Sequence, residues 1–414
     1  MSFSFMRKVD RIFGPLILAV LYPVILMVGA IRFVFKPRLE PTEITNITVA
    51  KFVGMGSVLL ATPLLAKIKV LFPNARLTFL TFHENRRLVE HIESIDHIET
   101  IENKNFFTLV SSLFRFVFFA PRAELFIDLE FFSHFGLIVQ TLSLARYRIG
   151  FWERGFLFRS LLLTHRAHYN PLRHISKIFM NMLCAFNSDL EKESFDADIR
   201  LPYLNYSVAA ERRVRQLIPV DLKNYSLILV NPHASDLSYL RRWPFEHYRE
   251  LIRQLLNLPY HIVATIGGPK DVDYNNTLIE PFIKQKKFVD LCGKLSIDEL
   301  IAAISLAELF VTNDSGPLHI ANAQQTSVIA FFGPESPTTY GPIGLGEDNP
   351  CRVFYRGLYC SPCMNTLYDK MVTCKSNRCL KLISVERVMV EVKQILEKKV
   401  PEAPSRKKSY NSRR

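Results

Sequence analysis

Glycine is scarce in this chain, 16 of 414 residues, and carries no Gly-X-Y period, so a collagen-like fibre is excluded. Cysteine numbers only 7, too few to staple a chain of this length as a disulfide scaffold. No apolar heptad is sustained and no repeat of roughly 20–50 residues stands out, which removes coiled coils, solenoids and propellers. Charged residues make up 22% against 49% hydrophobic, the balance of a folded protein and not of a disordered one. Mean hydropathy is +0.10, too low for a polytopic membrane protein and high for a soluble enzyme. One membrane segment on a soluble body accounts for it. The length suggests two domains plus extras.

Acidic charge is also in deficit, and the net +13 is unevenly placed. Residues 1–45 carry six Lys/Arg against Asp10, Glu40 and Glu43, and residues 398–414 carry seven against Glu402. The two ends therefore supply +9 of the +13. A nucleic-acid-binding protein should carry its basic charge on the folded body, so no nucleic-acid partner is expected. Basic ends beside an apolar segment fit an anionic lipid surface. For 401–414 alone, a solvated disordered tail is the equal alternative.

From Ile12 to Ile31 no residue is charged, and basic residues bracket the run. Twenty helical residues rise about 30 Å, enough to cross a bilayer core. No small-residue cleavage site follows, which argues against a removed signal peptide. Gly14, Pro15 and Pro23 allow either a kinked spanning helix or a re-entrant anchor.

After Pro37–Pro41 the pattern alternates between strands and helices. Ile47–Val53 reads as a strand leading into the loop Gly54-Met55-Gly56-Ser57, and Leu60, Leu64, Ile68 and Leu71 then repeat at helical spacing. Leu77–Phe82 reads as the next strand, and a buried strand within Ala123–Phe132 carries Asp128 and Glu130. Phe106–Phe119 is very apolar but interrupted by Arg115, so a buried or membrane-facing amphipathic helix is expected there. A second series begins near Tyr225: strand Leu227–Val230, helix Phe245–Leu256, strand His261–Ile266 ending at Gly267-Gly268, helix 296–305, and strand Glu308–Thr312. Strand Ser327–Phe332 closes the series. Two successive parallel α/β units describe paired Rossmann-like domains, with a ligand in the crevice at the strand C-termini. The expected division is 1–45 membrane anchor and linker, 46–205 first domain, 206–397 second domain and 398–414 basic tail.

The loop Asn313-Asp314-Ser315-Gly316-Pro317 lies between a strand and a helix. Pro317 suits a first helical turn, Gly316 lets a ligand approach the backbone, and the helix start favours an anion. A diphosphate fits there, with Ser315 and His319 as further donors; Asp314 more plausibly caps the helix or meets a sugar hydroxyl. A merely capped helix is the plain alternative. Arg241 and Arg242, before Trp243-Pro244, could balance phosphate charge without a metal.

The segments "VGMGSVLLATPLL", "NPHAS…RRWPFEHYRELI", "IGGPKD" and "FVTNDSGPLHIANA…VIAFFGPESP" together resemble glycosyltransferase family 9, the heptosyltransferase-like enzymes of lipopolysaccharide assembly, from about Ile47 to Val392. The resemblance implies the α/β GT-B fold, two Rossmann-like domains facing across a cleft, the first for acceptor and the second for nucleotide-sugar. It also implies metal-independent, inverting transfer with no catalytic cofactor, an ADP-sugar donor, and a lipid-linked saccharide acceptor at the cytoplasmic side of the inner membrane. Asp314, Ser315, Gly316 and His319 match the family's nucleotide-diphosphate-sugar loop. Arg241 stands where the family usually has a phosphate-binding lysine, and Ser235 falls in its phosphate-contacting turn. Gly267 and Gly268, with Asp271 or Asp273, match the nucleoside site, and Gly54 and Gly56 the acceptor-side loop.

One position departs from the family. Its first loop usually reads Gly-Asp, with the aspartate as general base, and here that position is Ser57. A serine of ordinary pKa does not accept the acceptor hydroxyl's proton. Either another carboxylate serves, Glu130 first and Asp128 second, or the protein is a catalytically degenerate scaffold that binds nucleotide-sugar or partner enzymes. For Glu130, a helix cap or an ion pair with a nearby Arg is the plain structural alternative. An epimerase on a Rossmann fold is a weaker reading, since Gly54-Met55-Gly56 lacks the third glycine in register. The Asp-x-Asp pairs at 196–198 and 271–273 fit no metal-dependent chain order, and no catalytic metal is expected. Cys360, Cys363, Cys374 and Cys379 have the spacing of a structural zinc site; disulfides and adjacent free thiols are the alternatives.

Overall fold

The structure is a computed structural model of the 414-residue chain. It describes residues 3–35, 43–131, 133–154, 157–187, 199–218, 222, 224–234, 239–345, 349–364, 372 and 374–398, with side chains of the first helix described over 8–28.

Two parallel sheets organise the chain. The first half holds β1 (Asn46–Ala50), β2 (Arg76–Phe82), β3 (His97–Ile101), β4 (Leu125–Asp128), β5 (Tyr147–Trp152) and β6 (His165–His168), in the order β3-β2-β1-β4-β5-β6. The second half holds β7 (Ser226–Asn231), β8 (His261–Thr265), β9 (Phe288–Asp290), β10 (Leu309–Asn313), β11 (Ser327–Phe332) and β12 (Cys351–Tyr355), ordered β9-β8-β7-β10-β11-β12. Each half is thus the same doubly wound unit, and the strand order reverses between β1 and β4 and between β7 and β10. Helices on both faces bury the central strands completely, which is why β10 and β11 are buried at every position and do not alternate between apolar and polar.

The helices of the first half are α1 (Phe3–Phe35), α2 (Met55–Leu60), α3 (Thr62–Leu71), α4 (Arg86–Val89), α5 (Phe106–Phe119), α6 (His134–Leu142), α7 (Leu157–Leu162) and α8 (Ile175–Phe186). In the second they are α9 (Val208–Leu217), α10 (Phe245–Leu256), α11 (Val272–Ile279), α12 (Ile297–Leu306), α13 (Gly316–Ala323), α14 (Pro337–Tyr340), α15 (Arg378–Lys381) and α16 (Val385–Lys398). Local chemistry sets their ends. Ser296 and Glu299 form a capping box that starts α12, with Ser296 Oγ accepting from Glu299 N and Glu299 Oε2 from Ser296 N. In α10, Tyr248, Leu251, Ile252 and Leu255 recur at helical spacing and are all buried.

Two sequence expectations are corrected. The helix after the first loop is split into α2 and α3, because Pro63 has no N–H to give Leu59 O; Thr62 Oγ1 donates there instead at 2.7 Å. The strand expected within Ala123–Phe132 ends at Asp128, so Glu130 stands in the loop beyond it. The chain crosses between the halves at 199–207, where the Gln324 side chain at the end of α13 bonds both N–H and C=O of Leu204 at 3.0 Å.

Candidate active site

The two reversal points of strand order face each other. The loop after β1 enters α2 at Gly54, whose φ of 92° lies in the left-handed region that only glycine adopts without strain. The loop after β10 enters α13. The first turns of these helices touch: a Cβ on Gly56 would collide with the His319 ring, and one on Gly316 would come within 2.8 Å of Met55 Sδ. The two glycines are therefore what lets the halves close on each other. Beside this contact a cavity of about 200 Å³ remains, lined by Tyr169, Pro171 and Leu172 from the first half and Glu335, Ser336 and Tyr340 from the second. That is below the roughly 300–1,000 Å³ of usual ligand pockets.

On the second half, Asp314, Ser315 and His319 are each more than nine-tenths buried. Arg241 clasps Asp314 Oδ2 through Nε at 3.0 Å and through a terminal nitrogen at 2.7 Å. Burial alone would lower the Arg241 pKa, but the Asp314 and Glu335 carboxylates offset it and the net shift is upward. Asn313 Oδ1 accepts from Trp243 N at 2.8 Å and Asn313 Nδ2 donates to His233 O at 3.0 Å, tying the Arg241 segment and the β7 loop to the end of β10. Ser315 Oγ lies 3.1 Å from both Asn231 Nδ2 and Thr312 Oγ1. The His319 imidazole is pushed down to about 3, mainly by burial and then by His174 and Arg241, so it is neutral. Its Nδ1 has no hydrogen-bond partner among the described residues.

A second corner lies at the ends of β7 and β8. Gly267 is flush against His233 and Cys292, where a Cβ would approach to 2.6 and 2.7 Å. Asp271 gathers this corner: Oδ2 accepts from Gly268 N at 2.9 Å, while Oδ1 is 3.5 Å from His233 Nδ1 and 3.7 Å from Arg242. Arg242 also stacks over the Tyr274 ring, 4.9 Å from its centroid. Burial lowers His233 to about 4 and raises the Cys292 thiol to about 12. Arg241 and Arg242 thus serve different corners.

On the first half, Glu130 Oε1 accepts from Lys51 Nζ at 2.7 Å, Phe52 N at 2.7 Å and Val53 N at 3.0 Å. Glu130 thereby holds the strand end that leads into Gly54 and the partly exposed Ser57. Its ion-pair partner is a lysine, not the arginine considered from sequence. Among the described residues no hydrogen-bond donor reaches Oε2. Asp128, the second candidate base, is fully buried and its Oδ1 accepts from Glu130 N at 3.0 Å. Burial pushes its carboxyl up to about 7, against the pull of Arg159 at 3.6 Å.

Ser235, Asp196 and Asp198 lie outside the described residues. Cys363 and Cys379 thiols are raised, first by burial and then by neighbouring cysteines. Among the described residues, Cys360, Cys363, Cys374 and Cys379 included, no three His, Cys, Asp or Glu side chains are placed to hold one metal ion. His174 caps α8 through Nδ1 and meets Gly341 O with Nε2 at 2.9 Å, linking the halves. Lys51 and Glu335 were not singled out from the sequence, whereas His174 is the hydrogen-bonded structural histidine expected there. The signal for Lys51 existed only once β1 and β4 were known to be neighbours, with Ala50 opposite Asp128.

The sequence pattern described as "Glycosyltransferase family 9 (heptosyltransferase)" matches residues 138–367. The chain belongs to glycosyltransferase family 9. A curated relative, lipooligosaccharide heptosyltransferase 2 of Campylobacter jejuni, is 26% identical over 269 residues, covering 62% of this chain and 79% of the relative. The family 9 glycosyl transferase of Veillonella parvula aligns with a TM-score of 0.68 at 21% identity, over 85% of this chain and 97% of that one. The E. coli ADP-heptose lps heptosyltransferase II aligns with a TM-score of 0.65 at 19% identity, over 85% and 98%. These likenesses bear on the fold: like them, this family 9 glycosyltransferase has two facing Rossmann-like halves, the GT-B arrangement.

Proposed function

We propose that the protein is a heptosyltransferase of lipopolysaccharide-type glycan assembly, moving heptose from ADP-heptose to a lipid-linked saccharide at the cytoplasmic face of the inner membrane. The observation that carries this reading is the apposition of Gly54–Ser57 with Asp314–His319, the two loops that belong at acceptor and donor. Its likeness to the C. jejuni lipooligosaccharide heptosyltransferase 2 and to the E. coli ADP-heptose heptosyltransferase II supports the donor and pathway class. α1 supports attachment to the membrane: Lys8–Val28 is long and apolar enough to cross one.

In the proposed reaction an acceptor hydroxyl oxygen attacks the anomeric carbon. The new C–O bond forms as the bond to the diphosphate breaks, and the anomeric centre inverts. The electron pair leaves with the nucleoside diphosphate, whose charge Arg241 and the α13 N-terminus stabilise without a divalent ion. The hydroxyl proton passes to Glu130 Oε2, the oxygen left open while Oε1 orients the group. Ser57 then contributes only a hydrogen bond. Cys360, Cys363, Cys374 and Cys379 take no part in the step.

The test is Glu130→Gln, with transfer and ADP-heptose affinity measured side by side. A fall in kcat of roughly 10²–10⁴-fold with unchanged donor affinity is expected. Full activity would remove Glu130 from the reaction. Absence of turnover in the unmutated protein with every nucleotide-sugar tried would favour the scaffold reading, which Ser57 alone motivates.

A further inference from the structure

The first half carries an apolar face that its own core does not use. α1 is long enough to span a bilayer, with mean hydropathy 2.1 over its best window. Yet it is docked lengthwise on α6 and α7. Asp10 accepts from His134 N at 3.0 Å and Phe135 N at 2.5 Å, at the start of α6. Gly14 is pressed against the His134 side chain, and Leu18 is fully buried among Leu137, Ile138, Leu162 and Leu163. The opposite side of α1 is bare: Ile12, Leu16 and Val20, four residues apart, are 62%, 63% and 71% exposed.

α5 repeats the pattern. Its inner side packs through Phe116 onto the same sheet face that α6 covers with Val139, over Ala50 and Phe126. Its outer side exposes Phe107, Phe114 and Phe118 at 79%, 57% and 65%. α1 lies outside α6, so the bare sides of α1 and α5 look away from the sheet in one direction. Exposed Lys8 and Arg11 flank this surface on α1, and exposed Arg122 follows α5.

We infer that α1 and α5 together form a monotopic surface that lies in the plane of an anionic bilayer interface, and that α1 does not cross the bilayer. This rests on the membrane-attachment part of the reading above. A crossing helix would turn every side to lipid, whereas one side of α1 is committed to α6 and α7. In-plane helices sink roughly 5–10 Å into the headgroup boundary, which suits a bare side one helix face wide. Lipid is preferred over a second copy of the chain because the bare sides are rimmed by basic residues, complementary to anionic headgroups and repulsive to a like surface.

The experiment uses the full chain with vesicles of phosphatidylethanolamine and phosphatidylglycerol. The double variant Phe114→Asp/Phe118→Asp changes only exposed positions. It should weaken vesicle binding by at least about tenfold, while melting temperature and ADP-heptose affinity stay as in the unmutated protein. An epitope tag before Met1 should be digested by protease on the same side as the body. Unchanged binding of the double variant, or a tag protected across the membrane, would overturn the in-plane arrangement while leaving attachment and transfer intact. Unchanged vesicle binding with a dimer turned monomer would assign the face to a second copy. A variant that binds vesicles no worse but loses activity would likewise overturn it.

Discussion

Replacing Arg241 by methionine separates the two tasks assigned to that side chain. Arg241 and Asp314 are a buried pair, 10% and 4% exposed at their side chains, with two contacts to one oxygen at 3.0 and 2.7 Å. Removing the guanidinium leaves a carboxylate enclosed without its counter-charge, which costs about 3–5 kcal/mol. In a domain of this size each kcal/mol moves the midpoint by roughly 2–4 °C, so the melting temperature of Arg241→Met should fall by about 6–20 °C. Adding Asp314→Asn removes the stranded charge, and most of the loss should return, since a neutralised pair is often no worse than the intact one. Donor affinity should not return. A charge-assisted phosphate contact is worth about 1.5–3 kcal/mol, so ADP binding by calorimetry should remain roughly 10–150-fold weaker in both variants. ADP binding restored in the double variant would mean that Arg241 serves only to hold Asp314. A single variant as stable as the parent would refute the buried pair itself.

Gly56→Ala drives a methyl group into His319, so it should hold the halves apart. Transfer should fall at least tenfold while each half still folds, and calorimetry with intrinsic fluorescence checks both. The His319 imidazole has its pKa depressed from 6.5 to about 3, so the folded protein prefers it neutral. The stability this represents is present above pH 6.5 and is lost as pH falls towards 3, by up to about 1.4 kcal/mol per pH unit. His319→Gln should flatten that part of the melting temperature against pH profile, and an unchanged profile would contradict it. Asp10→Ala removes two accepted N–H bonds at the start of α6 and should loosen α1 by about 0.5–2 kcal/mol. Faster proteolysis within residues 1–42 with an intact body is the expected result.

The doubly wound architecture was readable because parallel central strands are mostly apolar along their length, as in β10 and β11, and run into turns carrying Gly316 and Gly333. The split between α2 and α3 is also encoded locally, since Pro63 cannot donate, but the apolar spacing of Leu60, Leu64, Ile68 and Leu71 runs straight through it. The loop at the start of α13 stood out in the sequence because its residues are neighbours there: Asp314, Ser315, Gly316 and His319 lie within six positions on one loop and helix start. The first half was less legible. Asp128 and Glu130 look alike in sequence, two carboxylates on one strand end. What separates them is where the strand ends: Asp128 is the last residue of β4 and fully buried, and Glu130 stands two residues beyond it with 9% exposed. Lys51 gains meaning only from Glu130, 79 positions away, and Arg159 and Glu335 only from partners on other elements, which no local pattern records.

Those long-range partners join into one chain of contacts that links α1 to the Gly54 loop. Asp10 holds the start of α6; Arg159, from α7, donates to Ser133 O at 2.8 Å just before that start and lies 3.6 Å from Asp128. Asp128 accepts from Glu130 N, and Glu130 grips Lys51 and the backbone of Phe52 and Val53, one residue short of Gly54. Every link is buried or half-buried, where a polar contact is strong and a missing one is costly. Such a chain explains why a fully buried Asp128 with its carboxyl pushed to about 7 is kept at all. It positions Arg159, and through Glu130 it positions the loop. Substituting Asp128 by asparagine should therefore reach the acceptor side without touching it: the acceptor's KM should rise while ADP affinity stays constant. A change confined to ADP affinity would break the chain as an account of what links the two ends.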